Sequence, residues 1–390
     1  MNKNKIYGVL SIGFLAFLAG CGESGPAAGS VNQVNIGILA PTSGDVAQFG
    51  QPALNGKLMY IRAFNAGNHG FTINYSYFNE EGNPAQAALG YDVLTDWGMH
   101  ALLGSVTSGA TLAVVPLANQ DNLPMISATS SHAAVTVNQD TGNVWHNVFR
   151  ATFIDPFQGQ RMAEFAHEVV GATRAAVLYS HDIDYSIGLM QTFISRSEEL
   201  GVEIVAIESF SNASVDFFGQ LTNIAAIAPD VLFIPVYTHH MALIGPQSVQ
   251  AGLDTIMLGA DGWVGAASDM ADPSSLEGSY FMSGFYAGSY DPIVSSFVTR
   301  YEAEHGYQPN MFAALGYDAA KILIAAITQA LDNDHVPGTE AFQNAVIANI
   351  SATNIQGVTG HITFDQYNNP QKSAFIVEIV NGEETLWGSF

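Results

Sequence analysis

From residue 34 onward, short β-branched or apolar runs alternate with longer segments of helical periodicity. Runs at 34–40, 72–78, 101–106 and 124–127 are each followed by small or polar residues able to start a helix. This alternation predicts an α/β fold, with parallel sheet covered by helices. After Asn147-Val-Phe-Arg150 the pattern restarts, with strands predicted at 175–180, 203–207, 231–236 and 255–259. The two sets read as two doubly wound parallel-sheet lobes. Beyond Tyr280 the rhythm changes to three helical stretches, 291–305, 309–331 and 339–350, then apolar runs at 362–364 and 374–380.

That last part has too few strands for a third domain. The chain is therefore expected to return to the first lobe for its helices and to the second for its final strands. The division is 34–150 with 285–356 for the first lobe, and 151–284 with 357–390 for the second. About three crossover segments, near Ala151, Gly284 and Gly357, join them and would act as a hinge. The gap between lobes would lie at the C-terminal ends of both sets of strands, where open α/β sheets bind ligands.

Residues 1–20 carry Lys3 and Lys5, an apolar stretch over 6–17 and Leu18-Ala19-Gly20 ahead of Cys21, which predicts a lipoprotein signal peptide. The other reading, a buried free thiol, would require a fold from Gly22-Glu-Ser-Gly-Pro-Ala-Ala-Gly-Ser30. That composition suits a tether instead, so 21–33 is read as a lipidated leash. Cys21 is the single cysteine, so lipidation leaves no internal disulfide and stability must come from the cores. Removing the leader from 390 residues leaves 370, enough for two cores. Loss of Lys3 and Lys5 leaves nine basic residues against 35 acidic ones and takes the net charge from −24 to −26. Such a surface repels nucleic acid and anionic headgroups, so attachment to a bacterial membrane would depend on the lipid chains.

Enzyme signatures are weak: there is no G-x-S-x-G, and Gly56-Lys57-Leu58 lacks the spacing and hydroxyl of a phosphate loop. No cofactor is expected. The adjacent His239 and His240 would point roughly 100° apart on a helix, which is poor geometry for one metal ion. His181-Asp182-Ile183-Asp184 reads as a solvated loop. Four post-strand segments are rich in hydroxyls and small residues: Thr42-Ser-Gly44, Thr107-Ser-Gly-Ala-Thr111, Ser127-Ala-Thr-Ser-Ser-His132 and Tyr237-Thr238. They are expected to line one cleft. At Ser108-Gly109-Ala110-Thr111 a helix start would turn free N–H groups and the positive dipole end toward it, with the hydroxyls of Ser108 and Thr111 added. Ordinary capping by Ser108 is the equal alternative on that segment alone.

The opening Ile36-Gly-Ile-Leu-Ala-Pro-Thr-Ser-Gly-Asp-Val-Ala-Gln-Phe-Gly50, followed by Asn55-Gly56, resembles the branched-chain amino-acid-binding protein family. These are type I periplasmic binding proteins. The resemblance continues through Gly104-Ser-Val-Thr-Ser-Gly-Ala-Thr111, Pro124-Met-Ile-Ser-Ala-Thr-Ser-Ser131, Phe149-Arg150, Asp155-Pro-Phe-Gln-Gly159, Asp184-Tyr-Ser-Ile-Gly188, Tyr237 and Gly259-Ala-Asp-Gly262. It implies a solute-binding lipoprotein that hands an amino acid-like ligand to the membrane subunits of an ABC permease, as a monomer. Carried over by position, it implies that Ser108, Thr129 and Ser131 hold the α-carboxylate and α-ammonium groups. Asp261, where the family often has glutamate, would balance the ammonium; its shorter reach calls for a closer ligand or admits a different amine. Tyr185 and Tyr237 would cover the solute, Phe49 and Val106 would wall it, and Trp263 would add a further aromatic wall. A ligand-sensing receptor lobe without transport and an amidase- or nucleosidase-like cleft are the other readings. The residue set demands no catalytic base or nucleophile, so an enzyme is not expected.

Overall fold

A computed structural model of the protein describes residues 33–372 and 374–390. Cys21, the expected signal peptide and nearly all of the expected tether lie outside the described residues. The chain begins with β1 (Gln33–Leu39), α1 (Ala47–Asn65), β2 (Thr72–Phe78), α2 (Pro84–Asp96), β3 (Ala101–Leu103), α3 (Ser108–Gln120), β4 (Met125–Ser127) and β5 (Val148–Arg150). These strands form one parallel sheet of five in the order β2-β1-β3-β4-β5. β1 pairs with β2 along its whole length, from Gln33 opposite Thr72 to Leu39 opposite Phe78. Val34, Ile36, Ile38 and Leu39 are fully buried, as expected of a strand covered on both faces.

The second series runs α4 (Asp155–Phe165), β6 (Arg174–Ser180), α5 (Asp184–Glu199), β7 (Glu203–Phe210), α6 (Phe218–Ile227), β8 (Val231–Phe233), α7 (Thr238–Gln250), β9 (Ile256–Gly259), α8 (Ala266–Asp269) and β10 (Tyr280–Ser283). The helices α9 (Pro292–His305), α10 (Met311–Asp332) and α11 (Glu340–Ser351) follow. The strands β11 (Asn354–Gly357), β12 (Gly360–Thr363), β13 (Phe375–Val380) and β14 (Glu383–Ser389) close the chain. The second sheet has seven strands in the order β14-β13-β10-β9-β8-β6-β7, parallel except for the antiparallel β13 and β14.

α10 packs on α1, which returns this late segment to the first sheet's side. The helices cross at two glycines: a Cβ on Gly56 would come within 2.0 Å of the Ala313 carbonyl, and one on Gly316 within 2.2 Å of the Ala53 carbonyl. α10 is long and apolar enough to cross a membrane, yet 83% of its apolar stretch is buried inside the fold, as befits a core helix.

Three expectations are corrected. The strand expected over 101–106 stops at Leu103, because the Val106 carbonyl turns to accept the Thr129 and Ser130 hydroxyls instead of a strand N–H. The run near Ile362 does not join the large sheet. It forms a two-stranded hairpin with β11, tied to α10 where Asp318 accepts from the Val358 and Thr359 N–H groups at 2.8 and 2.9 Å. Finally, Tyr280–Ser283 and Glu383–Ser389 are strands where none was expected.

Candidate functional site

Each sheet reverses its strand order once, between β1 and β3 in the first and between β6 and β8 in the second. At such a reversal the loops leaving neighbouring strands diverge and open a crevice. Both crevices contribute to one tight cavity, lined by Phe49, Val106, Thr107, Ser108, Thr129, Ser131, Tyr185, Tyr237, Asp261, Gly262 and Phe312. The structure thus brings Phe49, Val106, Ser108, Thr129, Ser131, Tyr185, Tyr237 and Asp261 together around one space.

One end of the cavity is built to donate. The N-cap of α3 is Thr107, which makes no side-chain capping bond, and its hydroxyl is buried without a partner. Ser108 is already inside the helix, and its hydroxyl accepts only a long bond of 3.4 Å from the His132 N–H. Ser108 therefore does not cap its helix, and the first N–H groups have no side-chain acceptor from their own N-cap. Thr129 is fixed by donating to the Val106 carbonyl at 2.6 Å. Thr111, expected to add a hydroxyl here, turns away: it donates to the Thr107 carbonyl at 2.9 Å and pairs with Ser130.

The opposite end accepts. Asp261 starts a short turn directly after β9 and is buried. The Tyr185 hydroxyl donates to its Oδ1 at 2.8 Å and itself accepts the Gly262 N–H at 2.8 Å. The Asp261 N–H donates to Gln158 Oε1 at 2.9 Å. Burial pushes the Asp261 carboxyl up to about 6 from 3.8, against the opposing pull of the Tyr185 and Gln158 hydrogen bonds.

Between the two ends stand aromatic walls. Tyr185 and Tyr237 stack at 4.9 Å and 15°, and Phe49 contacts Tyr237 at 5.3 Å and Phe312 at 4.7 Å. Trp263 is not part of them. Its ring lies over Gly259 and its Nε1 donates to the Ile234 carbonyl at 2.8 Å, so it is a core residue. Thr42 and Ser43 also stay out of the cavity, engaged with Asn79 and Glu81 at 2.7 and 2.8 Å. Thr238 instead ties α7 to the first turn of α1, accepting from Gln48 at 2.5 Å.

Sequence reasoning gave no role to Asp155, Gln158 and Phe312. Asp155 is fully enclosed, and neither carboxylate oxygen has a well-formed hydrogen bond. Burial drives its pKa well above the usual range; nearby Asp261 adds to the rise, while Ser131 and Arg150 oppose it. The Nε2 of Gln158 is likewise buried without a well-formed hydrogen bond. Asp155-Pro156 reads in sequence as an ordinary helix start, which concealed its place behind Ser131, whose carbonyl accepts the Asp155 N–H at 2.9 Å. A wider hollow lined by Gln51, Tyr286, Tyr307 and Glu384 opens elsewhere. Of its two carboxylates, Asp269 and Glu384, the latter accepts the Gly265 N–H at 2.7 Å.

A family model described as periplasmic binding protein matches residues 33–384. The leucine-, isoleucine-, valine-, threonine- and alanine-binding protein of Pseudomonas aeruginosa is 22% identical over 350 residues, covering 89% of this chain and 90% of that protein. A leucine-binding protein from Thermotoga maritima superposes with a TM-score of 0.83 at 28% identity, covering 92% of this chain and 98% of its own. A branched-chain amino acid transporter substrate-binding protein from Streptococcus pneumoniae, solved with isoleucine, gives 0.81 at 26% identity and covers 92% and 100%. A solute-binding protein of an ABC transporter from R. palustris, solved with benzoate, gives 0.82 at 20% identity, covers 92% and 96%, and shares the fold.

Proposed function

On the premise that this chain belongs to the periplasmic binding protein family, we propose that it captures an amino acid with an apolar or branched-chain side chain and delivers it to an ABC importer. The observation that carries this reading is the polarity of one small cavity. A helix N-terminus with an unengaged buried hydroxyl stands at one end, a buried carboxylate at the other, and aromatic rings between them. A zwitterion with an apolar side chain complements all three. The carboxylate meets the Ser108 hydroxyl and the N–H groups of α3, and the ammonium meets Asp261, with Thr129 and Ser131 beside it. The side chain packs among Phe49, Val106, Phe312, Tyr185 and Tyr237.

Closure of two lobes over the solute, docking on a permease and tethering through lipidated Cys21 complete the proposal. An anionic solute without an ammonium, such as an aromatic carboxylate, suits the site less, because it would bury its charge near Asp261 and Asp155 with no cation supplied. Calorimetry with L-leucine, L-isoleucine, L-valine, their amides and their deaminated analogues tests the reading. The amino acids bind and the deaminated acids do not; full binding of a deaminated analogue overturns it.

A further inference from the structure

Two charged residues of opposite sign lie fully buried beneath the cavity without lining it: Lys57 on α1 and Glu80 just past β2. Lys57 Nζ donates to the carbonyl of Leu103, the last residue of β3, at 3.3 Å. Glu80 accepts the Ser105 hydroxyl on one oxygen and the Gly82 N–H on the other. Since β1 lies between β2 and β3, the Glu80–Ser105 bond spans the end of β1 and joins loops on both sides of it. From Ser105 the chain of bonds continues: its carbonyl accepts Ser127 Oγ at 2.9 Å, and the next carbonyl, Val106, accepts Thr129 Oγ1 at 2.6 Å. All the polar residues of the donor end hang on this short loop.

Burial of such charges is costly. It pulls the Lys57 ammonium down to about 8, with Glu80 acting to raise it, and it pushes Glu80 up. Lys57 has three protons to place and one hydrogen-bonded acceptor. An apolar side chain of similar size would pack there at no such cost.

We propose that Lys57 and Glu80 are positioning residues, fixing the loop Gly104–Thr107 so that Val106, Ser108 and Thr129 stand in register for the solute. This deepens the solute-binding reading and rests on it. The experiment has a first arm that needs no solute: amide hydrogen exchange of the ligand-free wild type, Lys57→Met, Glu80→Gln and the milder Ser105→Ala. Peptides over 104–111 are expected to exchange at least tenfold faster in each variant, while those over β6 and β8 keep their wild-type protection. In the second arm, calorimetry with L-leucine shows at least a tenfold rise in Kd. Unchanged exchange over 104–111, or a uniform loss across both sheets in Ser105→Ala, overturns the proposal; so does a wild-type Kd in a variant whose loop exchange has risen. Failure of L-leucine to bind the wild type counts against the solute reading alone, because the exchange arm still decides the positioning role.

Discussion

Replacing Asp261 with asparagine is expected to move stability and affinity in opposite directions. In the ligand-free protein, burial raises this carboxyl from 3.8 to about 6. At about 1.36 kcal/mol per pKa unit, keeping it ionised at pH 7 costs the fold about 3 kcal/mol. The sign follows from linkage: a carboxylate raised on folding adds nothing below pH 3.8, destabilises progressively between 3.8 and about 6, and destabilises fully above that. Asparagine keeps an acceptor for the Tyr185 hydroxyl and leaves the backbone bond to Gln158 in place, so the geometry survives while the buried charge goes. The ligand-free Asp261→Asn protein should therefore unfold at higher temperature or denaturant concentration at pH 7, and this gain should vanish at pH 4. Solute binding should weaken by roughly 2–5 kcal/mol, because the ammonium is left desolvated without its counter-charge. That is roughly thirtyfold to several thousandfold in Kd. Calorimetry and thermal unfolding on the same preparation check both. Wild-type affinity in the variant, or a loss of affinity accompanied by a lower unfolding midpoint, would refute the assignment of Asp261 as the ammonium partner.

The same carboxyl sets a pH dependence: below about 6 the solute's ammonium must displace a proton from Asp261, so wild-type Kd should rise about tenfold per unit toward pH 5 and stay flat from 6 to 8. Titrations in buffers of different ionisation enthalpy should show proton release at pH 5.5, and Asp261→Asn should abolish it. Ser108→Ala should cost less, about 1–2 kcal/mol in binding, since the N–H groups of α3 remain; a loss as large as that of Asp261→Asn would contradict the helix-end seat. Gly316→Val should destabilise the fold by about 3 kcal/mol or more in urea unfolding, because its Cβ would collide with backbone at Ala53 instead of with a movable side chain. Cys21→Ser should release the protein from membrane fractions, and unchanged fractionation would remove the lipid anchor.

The strands were legible in sequence where an apolar run coincides with burial on both faces, and poorly legible where pairing depends on a turn. Thr72–Phe78 has the bounds its pattern predicts, since it pairs with β1 residue by residue. Glu383–Ser389 was invisible to an apolar criterion: it is an edge strand with polar and half-exposed positions, and only its partner β13 gives it structure. Its signal lay in the turn. Asn381 and Gly382 take φ of 53° and 75°, the left-handed pair that a tight hairpin requires, and an Asn-Gly pair after an apolar run is the strongest short-range mark of one. The end of β3 is the reverse case. Val106 continues the apolar run, yet its carbonyl is claimed by hydroxyls from the next loop, a tertiary competition that no local pattern records.

The site divides along the same line. Residues directly after strands could be located from sequence, because a parallel sheet presents all its C-terminal loops on one edge, and the reversals of strand order decide which loops face each other. Ser108, Tyr185, Tyr237 and Asp261 follow β3, β6, β8 and β9 and so were bound to converge once two sheets were assigned. Trp263 obeys the same positional rule and still falls in the core, since Gly259 leaves a flat space on the sheet into which the indole packs. Position after a strand therefore brings a side chain to the edge without deciding which way it turns. Asp155 shows the complementary failure. It begins a helix, where aspartate before proline needs no further explanation, so its residue type carried no surplus information. What distinguishes it is the absence of any well-formed hydrogen bond to either oxygen at full burial, a property of the assembled fold. Two acidic side chains close enough for one to raise the other's pKa, with one solute ammonium to share, make the proton count of the site part of its recognition. The pH titration of Asp261→Asn reads that count directly, for any proton uptake or release that survives the substitution belongs to Asp155 or its neighbours.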